Sequence, residues 1–196
     1  MIIGLTGGIA SGKSTAARTL GEYGAYVIDA DKLGHNAYLS GTEAFDQVVA
    51  TFGDDVVGDD GEIDRGALGA KVFGEGNRLQ ELTAIVWPAI RAMAEAEIKS
   101  VKEQTPERMI VLEAAVLLEA GWQDIVDEVW VTVVDREVAI ERATSRDGVD
   151  REAIEARIDA QLSNEERKAK AQQVIDNSGD EQNLVTQLRD LWSSYA

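Results

Sequence analysis

The sequence predicts an α/β protein built on one five-stranded, doubly wound parallel sheet, with a helical insert after the second strand and a helical lid after the fourth. Three observations predict this. Short β-branched runs alternate with longer helical patterns. The strand runs are apolar throughout rather than alternating, as in a sheet covered on both faces. Pro88 and Pro106, the only prolines, fall at predicted element boundaries.

Strands are predicted at residues 2–6, 25–29, 109–113, 128–134 and 173–176. The first helix should follow a glycine-rich loop and run to about Tyr23, ended by Gly24. About eighty residues without a strong strand separate the second and third strands, far more than one crossover helix needs. They are read as an insert over about 33–106, in which Gly58-Asp59-Asp60-Gly61 makes a turn and Asp64 caps a helix. Pro88 is expected as the first residue of another helix carrying Ile90, Met93, Ala94, Glu97 and Ile98, closed off by Pro106. After the fourth strand, Asp135 should cap a helix to about Arg146, Asp147-Gly148 should break it, and 151–171 reads as a charged helical segment. Residues 136–171 would then form the lid of a single domain whose core is about 1–32, 107–135 and 172–196.

Composition removes several chemistries. With no Cys and one His among 196 residues, disulfides, thiolate zinc sites, cysteine nucleophiles and His-rich metal sites are excluded. No apolar run approaches the roughly 18 residues of a membrane span, and the N-terminus lacks a signal-peptide pattern, so a cytoplasmic protein without a membrane partner is expected. A formal net charge of −17 argues against nucleic acid as a partner, since that requires a basic face. An anionic small molecule would need cations gathered locally against the overall field.

The strongest motif is Gly7-Gly8-Ile9-Ala10-Ser11-Gly12-Lys13-Ser14, which matches G-x-x-x-x-G-K-[ST] between a strand and a helix. Glycines let backbone N–H groups converge on phosphate oxygens, the helix start adds positive potential, Lys13 reaches the β/γ-phosphates and Ser14 can ligate Mg²⁺. Asp29-Ala30-Asp31 ends the second strand at the same carboxyl edge. One carboxylate can accept a hydroxyl proton, the role given to Asp31, and the other, Asp29, can orient metal-bound water, unless either merely caps the next helix. The GTPase motifs D-x-x-G and N-K-x-D do not occur in suitable places, which leaves a small-molecule kinase or a motor ATPase; the size and lid favour the kinase. Arg142 and Arg146 share a helix face and either clamp phosphates and adenine or pair with nearby acids. Arg65 and Arg91 are the insert cations suited to an anionic acceptor, His35 lies one turn beyond Asp31, and Trp87 either packs or borders the acceptor.

In order, residues 4–15, Ile28-Asp29-Ala30-Asp31, Arg65-Gly66-Ala67-Leu68 and Val72-Phe73 closely resemble the dephospho-coenzyme A kinase family. Pro88-Ala89-Ile90-Arg91, Leu117-Leu118-Glu119, Arg142, Arg146-Asp147, Gln161 and Val174-Ile175-Asp176-Asn177 continue the match. The resemblance implies a P-loop kinase fold and transfer of phosphate from ATP, with Mg²⁺, to the ribose 3′-hydroxyl of dephospho-CoA. It implies Asp31 as base, with Lys13 and Arg142 catalytic. It places ATP against Gly8, Ile9, Ala10, Ser11, Gly12, Lys13, Ser14, Thr15, Arg142 and Asn177, and the metal at Ser14 and Asp29. The acceptor would meet Thr6, Asp31, His35, Arg65, Trp87, Arg91 and Leu117, in a monomer or weak homo-oligomer. Two departures stand out: Trp87 replaces a usual His, and the family's Asp-x-Pro-Leu-Leu appears as Glu113-Ala114-Ala115-Val116-Leu117, without proline.

Overall fold

The computed structural model describes residues 1–72 and 77–195; Phe73, part of the family resemblance, lies outside them. The chain divides into two compact units, Met1–Asp29 with Ser100–Ala196, and Ala30–Lys99.

The first unit holds the sheet, made of β1 (Ile2–Gly7), β2 (Tyr26–Asp29), β3 (Ile110–Glu113), β4 (Glu128–Val133) and β5 (Gln173–Asp176), in the order β2-β3-β1-β4-β5. All four strand pairs are parallel. The strand bounds agree with those read from the sequence to within one residue, because buried apolar runs are an unambiguous signal where glycine or charge brackets them. Helices α1 (Lys13–Glu22) and α9 (Glu181–Tyr195) contribute Ala16, Ala17, Leu20, Leu184 and Leu188 to a core with Ile3, Leu5, Val111, Trp130 and Ile175. Alternate strand residues face the other way. On that side a side chain at Gly4 would lie 2.7 Å from Leu117 and 3.0 Å from Val126, so the segment after β3 lies directly on β1.

The second unit contains α2 (Ala30–Asn36), α3 (Glu43–Phe52), α4 (Arg65–Val72) and most of α5 (Arg78–Gln104). Asp64 caps α4 as expected, its Oδ1 accepting from Gly66 N at 2.7 Å and Ala67 N at 3.0 Å. Pro88 does not start a helix. It lies inside α5, ten residues beyond the first. Proline there removes the bond to the preceding turn and costs about 3 kcal/mol. Val86, Ile90, Ala94 and Ile98 are all buried at four-residue spacing across it. Burying each such side chain stabilises by roughly 1.5–3 kcal/mol, so one continuous apolar stripe outweighs the broken bond.

Back in the first unit, α6 (Arg136–Asp147) begins at Asp135, whose side chain accepts from Glu137 N, and ends at Gly148 with φ 63°. Residues 151–171 are not one helix. They form α7 (Arg151–Asp159) and α8 (Asn164–Lys168), because Ser163 and Glu166 make a reciprocal capping box that starts a new helix.

Candidate active site

The loop between β1 and α1 is held from three sides. Its glycines allow close approach: a Cβ on Gly7 would fall 2.1 Å from Thr132 Oγ1 on β4 and 2.4 Å from Ser11 Oγ. The Ser11 and Thr132 hydroxyls are hydrogen-bonded at 2.8 Å, both buried. Gly12, at φ 88°, would place a Cβ 2.2 Å from Asn177 Nδ2, and that nitrogen donates to the Ser11 carbonyl at 3.0 Å. On the third side, Ile9 N donates to Gln161 Oε1 at 3.1 Å. Ala10, at φ 55°, is the only non-glycine residue with positive φ among the described residues, a costly conformation that persists because its surroundings fix it.

Lys13 and Ser14 open α1, where N–H groups have no intrahelical partner and the dipole is positive. Both side chains turn to one atom of β3. Glu113 Oε1 accepts from Lys13 Nζ at 2.8 Å and from Ser14 Oγ at 2.7 Å, and the two ionised side chains are only 12% and 7% exposed. Asp29 is the sheet partner of Glu113 on β2, so the two carboxylates end neighbouring strands in register. A cavity of about 410 Å³ opens beside the loop, lined by Gly8, Ile9, Ile158, Gln161, Leu162 and Ser163 among others.

The expected ATP-side residues divide. Gly8, Ile9, Ala10, Ser11, Gly12, Lys13, Ser14 and Thr15 form the loop and the first turn of α1. Arg142 on α6 is committed to backbone: Nη1 donates to Asn177 O and Nη2 to Gly179 O, each at 2.8 Å. It therefore fixes the turn after β5 that carries Asn177. Hydrogen bonds from the Ser178 hydroxyl, then from its main-chain N–H, hold the neighbouring Asp176 carboxyl below its usual range. Arg146 pairs instead with Asp147 at 2.6 Å.

Of the expected acceptor residues, Thr6 is buried, its hydroxyl donating to Ala115 O at 3.3 Å. Leu117 is fully buried against Gly4 and so shapes a wall rather than presenting a surface. Asp31 and His35 lie in α2 of the second unit, both exposed and one turn apart. Arg65 is the exposed first residue of α4. Trp87 and Arg91, one turn apart on α5, are half-buried, and Arg91 Nε pairs with Glu95 at 2.9 Å.

The reading of the sequence missed Glu113, Thr132 and the contact of Gln161. Glu113 could have been found by the argument that found Asp29, since it too is an acid ending an apolar strand at the carboxyl edge. The hydroxyl of Thr132 inside an apolar run carried no comparable signal. Among the described residues no group of three or more His, Cys, Asp or Glu side chains could hold a metal ion. What the site offers a metal–nucleotide complex is the glycine cradle, the Lys13 ammonium and the Ser14 hydroxyl with carboxylates behind them, and these fit it.

The family model for dephospho-CoA kinase matches residues 1–183. The chain belongs to the dephospho-CoA kinase family. A dephospho-CoA kinase from Geobacter sulfurreducens is 46% identical over 192 residues, 98% of this chain and 97% of the relative. One from Symbiobacterium thermophilum is 44% identical over 191 residues, 97% of this chain and 80% of the relative. Among solved structures, one from Thermus thermophilus shares 30% identity at a TM-score of 0.81, covering 100% of this chain and 98% of that one. Dephospho-CoA kinase from Campylobacter jejuni, at 23% identity and TM-score 0.67, covers 100% of this chain and 97% of its own, and likewise has this fold.

Proposed function

We propose that the protein transfers the γ-phosphoryl group of MgATP to the 3′-hydroxyl of the dephospho-CoA ribose, giving CoA and ADP. The observation that carries this is the glycine cradle with Lys13 and Ser14 at the head of α1, in a chain whose family model is dephospho-CoA kinase. MgATP brings the phosphoryl group and a cation that neutralises its charge. The protein's part is to position and to move one proton. Main-chain N–H groups of the loop and Lys13 hold the phosphates, Ser14 and Asp29 face the metal, and Asn177 with Arg142 shapes the nucleotide side. Asp31 is the base that takes the acceptor's hydroxyl proton. His35, Arg65, Trp87 and Arg91 bind the acceptor, with Thr6 and Leu117 in the wall behind it. In this reading the second unit is the CoA-binding insert and α6–α8 the lid.

The enzyme is proposed to act on small molecules in the cytoplasm, as a monomer or weak homo-oligomer. No helix among the described residues is long and apolar enough to cross a membrane. The test is ADP release by purified protein with ATP and Mg²⁺, with and without dephospho-CoA, alongside adenosine and nucleoside monophosphates, with the product mass checked. Phosphorylation confined to dephospho-CoA is expected. ADP release only with a nucleoside or nucleotide would keep the kinase chemistry and overturn the acceptor.

A further inference from the structure

The phosphate loop turns sharply at Ile9–Ala10, where Ser11 N donates to Gly8 O at 3.2 Å and Ala10 takes φ 55°. A positive φ at that place in a turn is one that glycine adopts freely and alanine adopts at a cost, because its Cβ crowds the following carbonyl. The turn must therefore be held from outside. After Ala10, Ser11 is held twice: its hydroxyl meets Thr132 Oγ1 at 2.8 Å and its carbonyl accepts from Asn177 Nδ2 at 3.0 Å. Before Ala10, Ile9 N donates to Gln161 Oε1 at 3.1 Å, across 152 residues of sequence.

Gln161 can bear on this turn because its own seat is fixed. It stands between α7 and α8, its main-chain N–H donating to Ile158 O at 3.1 Å. Asn164 Nδ2 donates to Val134 O at 2.8 Å, just past β4. The buried Arg167 donates from Nε to Leu162 O at 3.2 Å and from Nη2 to Glu119 Oε1 at 2.8 Å, in the segment after β3. A joint anchored at two places beyond the sheet resists displacement, so the amide oxygen it carries opposes relaxation of the strained turn. Turns that mix right- and left-handed residues gather successive N–H groups into an anion-binding concavity. We infer that Gln161 is a positioning residue for nucleotide binding: acting through Ile9 N, it keeps Ala10 in the left-handed conformation that gathers the loop's N–H groups around the phosphates. The inference rests on the loop being the nucleotide site.

The test is calorimetric titration of the full chain with MgATP, for the native protein and Gln161→Met and for the same pair carrying Ala10→Gly. Methionine matches glutamine in length but offers Ile9 N only a weak sulfur acceptor. Without support the competent turn is populated only in part, and apparent affinity falls by that fraction. Gln161→Met is expected to weaken MgATP binding by about tenfold and to raise the KM for ATP alike, with kcat at saturating ATP within about threefold of native. With Ala10→Gly, which removes the steric cost, the same substitution should weaken binding by less than about threefold. A role in packing alone would give the same loss in both backgrounds, and that result overturns the inference; so does native affinity in Gln161→Met. Should Gln161→Met fail to fold, which thermal unfolding would show, the inference is judged on hydrogen exchange at the Ile9 amide of the native protein: slow exchange supports it, and exchange as fast as that of an open amide overturns it. A native protein that binds no MgATP overturns the nucleotide-site reading, and the positioning role with it.

Discussion

Polar contacts around the phosphate loop and those along α6–α8 belong to the same unit, yet they are held in opposite ways. At the loop, Lys13–Glu113, Ser11–Thr132 and Asn177–Ser11 are few and largely buried. Along α6 and α7, Arg136–Asp159 and Arg151 with Glu137 and Glu155 are open to water, with side-chain exposures of 47% and 63% in the first pair. A lost partner at the loop leaves a buried polar group unpaired, which is costly; a lost surface pair is replaced by water. The loop is thus held by contacts that water cannot replace. The α6–α7 pairs lie where water can take the place of either partner, so each contributes little to how firmly those helices are held.

One contact of α8 breaks this division. Arg167 on α8 is fully buried; its Nη2 donates to Glu119 Oε1 at 2.8 Å and its Nε to Leu162 O at 3.2 Å. Asn164 adds a bond to Val134 O at 2.8 Å. Helix α8 is therefore held as the loop is held, by buried polar contacts.

Substitutions ordered by expected effect put the comparison to the test. Lys13→Ala should weaken nucleotide binding and lower kcat/KM together by on the order of 100-fold or more, since it removes the cation at the transferring group. Asp31→Asn should leave ATP affinity intact and cut kcat by roughly 10²–10⁴-fold, the range for a lost general base. Turnover near the native rate would remove Asp31 from that role. Glu119→Ala should destabilise by about 3 kcal/mol in urea unfolding, because it strands the Arg167 guanidinium in a dry site. The double change Arg167→Met with Glu119→Leu should recover most of that loss. A Glu119→Ala variant as stable as the native protein would show that α8 is no more firmly held than α7.

How far the sequence anticipated this division follows from the kind of signal each part carries. The strands, the glycine loop, the Asp64 and Asp135 caps and the Gly148 stop are local: residue type and spacing determine them. Helix α5 was misjudged at Pro88 because the stripe from Val86 to Ile98 that carries the helix through the proline is a tertiary effect. Glu113 and Arg167 escaped for a related reason. Each is charged but buried, and burial of a charge depends on a partner 100 residues away for Lys13–Glu113 and 48 away for Arg167–Glu119. Composition made 151–171 look uniformly solvated, and only the fold distinguishes its last helix.

The smallest expected effect lies at Arg136–Asp159. The Arg136 guanidinium holds the Asp159 carboxyl below its ordinary value of 3.8. A depressed carboxylate stabilises the folded protein above its ordinary value, and the contribution is lost as pH falls through the folded value. Asp159→Asn should therefore shift the urea midpoint slightly downward at pH 6, and the shift should shrink with added salt and vanish as the pH falls below the ordinary carboxylate range and the folded carboxyl is protonated. A difference that persisted at low pH would mean that the amide disturbs α7 by itself. A shift at pH 6 as large as that of Glu119→Ala would erase the contrast between the exposed pairs of α6 and α7 and the dry Arg167–Glu119 contact of α8.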